Sequence, residues 1–134
     1  MKAVEYFLNG NSCSESIILS SNEDNLCDDT LLPLATPFSG GIGSGCLCGA
    51  ISGSIMVIGH RFGKNNKYGN PPIAKELAKR FIKDFKEVHN ATCCRVLSGK
   101  FEFSSPERKA HCANMVEFCE NNLDKILKEA VKNG

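Results

Sequence analysis

The chain has 134 residues, the size of one ordinary domain, which buries roughly two thirds of its unfolded surface without covalent staples. Sixteen basic and fifteen acidic side chains leave a formal net charge of +1, so no broad field draws the protein to nucleic acid or to an anionic membrane. Met1-Lys2-Ala3-Val4-Glu5 has an acidic residue where an export signal needs an apolar stretch, and no run of about 18 apolar residues follows, so a cytoplasmic protein is expected.

Eight cysteines, at positions 13, 27, 46, 48, 93, 94, 112 and 119, are many for this length. Structural disulfides need an oxidising compartment. Without an export signal, the density points instead to a metal, a cluster or redox-active thiols.

Apolar periodicity is helical almost throughout, and alternating β-branched runs are absent. A short helix over 2–8 stops at Asn9-Gly10-Asn11. Ser12-Cys13-Ser14-Glu15 then has the form of a capping box, which places Cys13 at the first helical position. A polar stretch, 20–29, leads to a proline-limited helical turn over 30–35. Ser39-Gly40-Gly41-Ile42-Gly43-Ser44-Gly45 feeds a helix over 48–62, with Ile51, Ile55 and Ile58 on one face. Asn70-Pro71 starts a helix to about Val88, whose stripe is Leu77, Phe81 and Phe85 and whose charged side is plain solvated surface. Cys93-Cys94 opens a short turn or helix ended by Gly99. Ser104-Ser105-Pro106-Glu107 caps the last helix, with Cys112, Val116, Cys119, Leu123, Ile126 and Ala130 on its apolar face. The expected fold is all-α, an irregular bundle of about five to six helices in a single domain over 1–134.

Cys13, Cys48 and the Cys93-Cys94 pair fall at predicted helix starts, where unpaired N–H groups and a partial positive charge favour thiolates. A lowered Cys13 pKa is therefore expected. Glycine lets the backbone approach a bound group closely, which makes Gly43, Gly45 and Gly49 candidate cofactor contacts. Gly49 and Gly53, one turn apart, leave a bare strip for a cofactor or for another helix. No nucleotide-loop pattern is present, and the absence of Cys-x-x-Cys excludes zinc ribbons and thioredoxin-like sites. Any four-cysteine site must then be assembled from distant segments. Of the histidines, His60 and His89 read as helix-end residues, and only His111 adjoins a candidate ligand.

Cys48-Gly49-Ala50-Ile51-Ser52-Gly53 behind its glycine loop, with Asn11-Ser12-Cys13-Ser14-Glu15-Ser16 upstream and Cys94-Arg95-Val96-Leu97-Ser98-Gly99 and Cys112 downstream, resembles the C_GCAxxG_C_C family of redox-active proteins. The likeness runs from about Cys13 to Leu127. A similar module in split-Soret cytochromes is associated with an iron–sulfur cluster, so the resemblance implies Cys13, Cys48, Cys94 and Cys112 as four thiolate ligands. Cys27, Cys46, Cys93 and Cys119 are additional, and Cys46 or Cys93 could replace its neighbour. The haem motif Cys-x-x-Cys-His is missing, so no haem is implied.

Three functions follow. The first is electron transfer or redox sensing through a 2Fe–2S-type or related cluster, with a redox protein as partner. The second is thiol–disulfide exchange at a reactive cysteine, and the third is zinc or copper(I) binding. A homodimer is left open. Cys119, on the apolar stripe, reads as structural.

Overall fold

The computed structural model describes residues 2–65, 72–102 and 105–133. It contains seven α-helices among those residues: α1 (Ala3–Leu8), α2 (Cys13–Glu23), α3 (Leu31–Ala35), α4 (Gly49–Phe62), α5 (Pro72–His89), α6 (Cys94–Ser98) and α7 (Pro106–Asn133). The all-α expectation holds. The count exceeds five to six because α1, α3 and α6 are separate pieces of only five or six residues. Among the described residues the sole β pairing is an isolated antiparallel bridge between Leu47 and Cys93. No helix among them is long and apolar enough to cross a membrane.

Local chemistry sets the boundaries. The capping box of α2 is complete: the Glu15 N–H donates to Ser12 Oγ at 3.2 Å, and the Ser12 N–H donates back to Glu15 Oε1 at 2.9 Å. Helix α2 runs to Glu23, four residues into the stretch expected to be a polar connection. Ser20 and Ser21 are buried there, and Ser20 donates to the Glu120 carboxylate, which also accepts the Ala3 N–H at 2.8 Å. That carboxylate ties together α1, α2 and α7. Asn25, at φ 59°, then ends α2 with the Leu26 N–H bonded to the Ser21 carbonyl at 2.8 Å, a left-handed cap that asparagine tolerates. Pro33 sits in the first turn of α3, and a single 3₁₀ turn over Thr36–Phe38 follows. Ser105 Oγ accepts the Arg108 N–H at 3.1 Å and caps α7, whereas Ser104 and the Asn70-Pro71 start of α5 lie outside the described residues.

Helix α4 occupies the middle, packed on α2, α5 and α7. Ile51, Val57 and Ile58 of α4 meet a fully buried set comprising Ile17 and Ile18 of α2, Phe81 and Phe85 of α5, and Val116, Leu123 and Ile126 of α7. Each such side chain stabilises the fold by about 1.5–3 kcal/mol on burial. Ile55 is only partly buried. Buried serines hold the polar account level inside the helices, Ser54 donating to the Ala50 carbonyl at 2.8 Å and Ser14 to the Ala35 carbonyl at 2.8 Å.

The bare strip on α4 is used for helix packing. A Cβ on Gly53 would stand 2.8 Å from the Ser14 carbonyl oxygen and 3.2 Å from Ile17 Cβ, both parts of α2 that cannot yield cheaply. A Cβ on Gly59, in the same helix, would meet nothing within 4 Å. Gly59→Ala should therefore stabilise the fold by about 0.8–1 kcal/mol through helix propensity. Gly53→Ala should destabilise it, because overpacking of about 1–3 kcal/mol outweighs the same gain. Thermal unfolding of the two variants checks this, and a rise in Tm for both would contradict the tight α2–α4 contact.

Candidate redox site

The site is assembled where three helix starts and the second turn of α7 meet. Residues 40–45 form a left-handed loop, with φ of 62° at Gly40, 64° at Gly41, 63° at Ile42, 61° at Gly43 and 72° at Gly45. Ile42 is the exception in chemistry: a β-branched residue in this region costs roughly 1–2 kcal/mol. The loop returns to an extended pair of strands one bridge long. Here the Cys48 N–H donates to the Thr92 carbonyl at 2.8 Å and the Cys94 N–H to the Cys46 carbonyl at 2.5 Å, on either side of the Leu47–Cys93 bridge. This clip delivers Cys48 to the N-cap of α4 and Cys94 to the first residue of α6.

Cys13, at the first position of α2, lies against the same point. A Cβ on Gly49 would stand 2.5 Å from Cys13 Sγ, so only glycine leaves the sulfur its place. Cys112 and Cys94 lie near enough to Cys13 to disfavour its thiolate, as Cys13 and Cys94 do for Cys48. Cys119 interacts in the same way with Cys48 and Cys13, so the four quartet cysteines, from four separate helices, share one region of the fold with Cys119 behind them in the core. The backbone N–H groups of Gly40 and Ser14 near Cys13, and of Ala50 and Ile51 near Cys48, favour the thiolate form. Two of the sulfurs, those of Cys94 and Cys112, have side-chain hydrogen-bond partners. Arg108 Nη2 donates to Cys94 Sγ at 3.5 Å, and Ser98 Oγ lies 3.4 Å from Cys112 Sγ.

The ordered cysteines on this helical frame match a family profile described as "Putative redox-active protein (C_GCAxxG_C_C)" over residues 11–126. The chain belongs to the C_GCAxxG_C_C family. No curated protein and no solved structure matches it significantly.

In this C_GCAxxG_C_C protein the four extra cysteines divide cleanly. Cys46 and Cys93 are exposed. Cys27 is buried with its thiol 3.6 Å from the Ile18 carbonyl, and Cys119 is fully buried beside Ser54. The glycines divide as well. Gly49 touches Cys13, Gly45 lies against the Arg95 side chain, and a Cβ on Gly43 would meet nothing within 4 Å. The residues that sequence reasoning missed are Gly40, whose N–H reaches Cys13, and Gly41, whose Cα faces Cys46 and Cys94. Their signal was the length of the glycine run itself. His111 bonds the Leu97 carbonyl at 2.7 Å and stacks near Phe101, while His60 lies 3.9 Å from Asp28 and His89 stacks on Phe85 at 4.3 Å. Among the described residues no three or more His, Cys, Asp or Glu side chains have the spacing that holds a single metal ion.

The expected low pKa of Cys13 is overturned. Burial pushes its thiol up and outweighs the Gly40 and Ser14 N–H groups, and the neighbouring Cys112 and Cys94 add to the rise. Burial likewise pushes Cys48 up from the ordinary 9.0 to about 12, and Cys27 to about 11. These thiols keep their protons in the folded chain at a pH where the unfolded chain has released them. Their contribution to stability is present below about pH 9 and is lost as pH rises towards 12. Denaturant midpoints of the unloaded protein should therefore fall between pH 9 and 11.5, and Cys48→Ala should flatten that fall. Equal slopes in the two proteins would contradict the buried, protonated thiol.

Proposed function

We propose that the protein holds an iron–sulfur cluster, 2Fe–2S-type or related, on the thiolates of Cys13, Cys48, Cys94 and Cys112, and serves in electron transfer or redox sensing. The observation that carries the reading is that these cysteines come from four separate helices into one region, with Arg108 and Ser98 in contact with the Cys94 and Cys112 sulfurs. Four cysteine thiolates are the usual ligand set of such clusters, and hydrogen bonds to the sulfurs tune their potentials. When bound, the cluster would supply a one-electron couple.

The chain's own residues supply the rest. Backbone N–H groups at the starts of α2 and α4 and the Arg108 guanidinium offset negative charge on the sulfurs. If Cys112 is a thiolate, the Ser98 hydroxyl must be the donor of their shared contact. Gly49 keeps the space beside Cys13 open. A cluster distributes its terminal thiolates over separate irons bridged by sulfide, and so spans a wider spread of sulfurs than one zinc or copper(I) ion does. Eight unpaired cysteines fit a reducing compartment such as the cytoplasm, with a redox protein as electron partner.

Protein purified or reconstituted without oxygen should be brown and contain iron and inorganic sulfide in equal amounts. Cys112→Ser should lose most of the iron, while Cys119→Ala, a core position, should retain it. Colourless protein free of iron and sulfide, or iron loss in Cys119→Ala with the fold intact, would overturn the assignment.

A further inference from the structure

Two cysteines outside the quartet, Cys46 and Cys93, are exposed, and they lie on the two sides of the clip that joins the glycine loop to α6. The register of the bridge decides what each one faces. Leu47 opposes Cys93, so one step along Cys46 opposes Cys94, whose N–H it accepts. Directly opposed residues of this kind have Cα atoms about 5.5 Å apart. Disulfides span Cα separations of about 4.4–6.8 Å. Gly41 supplies an independent measure of the same closeness. A Cβ placed on it would stand 2.5 Å from the Cys46 nitrogen, 2.8 Å from the Cys46 oxygen and 2.8 Å from Cys94 Cβ, so one point in space touches both residues. Side chains alternate along an extended strand, which puts Cys93 on the opposite face of the clip with Leu47.

We propose that Cys46 and Cys94 form a reversible disulfide in the unloaded protein, a latch that withdraws Cys94 from the ligand set. The withdrawal rests on the reading of Cys94 as a ligand; the disulfide itself does not. The oxidant is a low-molecular-weight disulfide, RSSR. The exposed Cys46 thiolate attacks one of its sulfurs, forming Cys46–S–S–R and releasing RS⁻. The Cys94 thiolate then attacks the Cys46 sulfur, closing the Cys46–Cys94 bond and releasing the second RS⁻. Two protons from the cysteine pair pass through solvent to the two released thiolates. Two electrons leave the pair and reduce RSSR to two RSH. The Arg108 guanidinium, 3.5 Å from Cys94 Sγ, stands where negative charge on the attacking sulfur develops. A dithiol reductant reverses the sequence and restores the fourth ligand.

The test treats full-length, metal-free protein with oxidised glutathione, blocks the remaining thiols by alkylation and maps crosslinked peptides by mass spectrometry, alongside Cys46→Ser and Cys93→Ser. One crosslink between the peptides bearing Cys46 and Cys94 is expected, kept in Cys93→Ser and lost in Cys46→Ser. A crosslink that survives Cys46→Ser, one that vanishes in Cys93→Ser, or none at all would overturn the latch. After the same oxidation, wild type should take up iron only once dithiothreitol is added, whereas Cys46→Ser should take it up without reductant. A Cys46–Cys94 crosslink in a protein that never takes up iron when reduced would leave the disulfide standing and remove the cluster. Iron uptake without the crosslink would do the reverse.

Discussion

The site depends on how closely the first turn of α4 lies on the first turn of α2. Gly49 has no side chain because Cys13 Sγ fills the place a Cβ would take, and Gly53 has none because the Ser14 carbonyl lies there. That contact brings two helix starts to one point, with a cysteine at each. Helix α4 is also the centre of the core, held by Ile51, Val57 and Ile58 against α2, α5 and α7. The apolar packing that stabilises the fold therefore fixes the separation of the sulfurs. A site on such rigid elements is positioned more tightly than one built on loops.

Two opposing effects act on the buried thiols. Helix starts offer N–H groups and a partial positive charge, which favour thiolate. Burial withdraws the water that would solvate the charge, and adjacent sulfurs repel it. At Cys13 and Cys48 burial wins, so in the unloaded chain these sulfurs remain protonated thiols. The donors gathered around them are better suited to negative charge shared with a bound cation than to a free nucleophile. The pair at the rim of the site, Cys46 and Cys93, is exposed and open to reagents from solution.

Much of the frame was legible in local sequence. The Ser12–Glu15 box, Ile51 and Ile58 of α4, the Leu77-Phe81-Phe85 stripe and the Val116-to-Ala130 face all act over three or four residues, and all appear where periodicity and capping chemistry place them. The family pattern singled out the four cysteines, which no short-range rule could have joined. What escaped depends on contacts distant in sequence. Ser20 and Ser21 look like loop residues until Glu120, a hundred positions away, accepts from Ser20. The clip pairs Leu47 with Cys93 across 46 positions of chain, and nothing in either segment alone announces it. The direction of the Cys13 shift is not legible in sequence, because the helix start is visible there while the depth of burial is not.

The most direct test of a shared site is a thiol footprint of the same protein, prepared without oxygen, in its iron-loaded and unloaded forms. Cys94 and Cys112 are the informative positions, because both are only partly buried and so open to alkylation when no ligand holds them. If the four sulfurs serve one cluster, Cys94 and Cys112 are protected together on loading and released together by chelation, while Cys46 and Cys93 are labelled equally in both forms. Equal labelling of Cys94 and Cys112 in the loaded and unloaded protein would contradict the account.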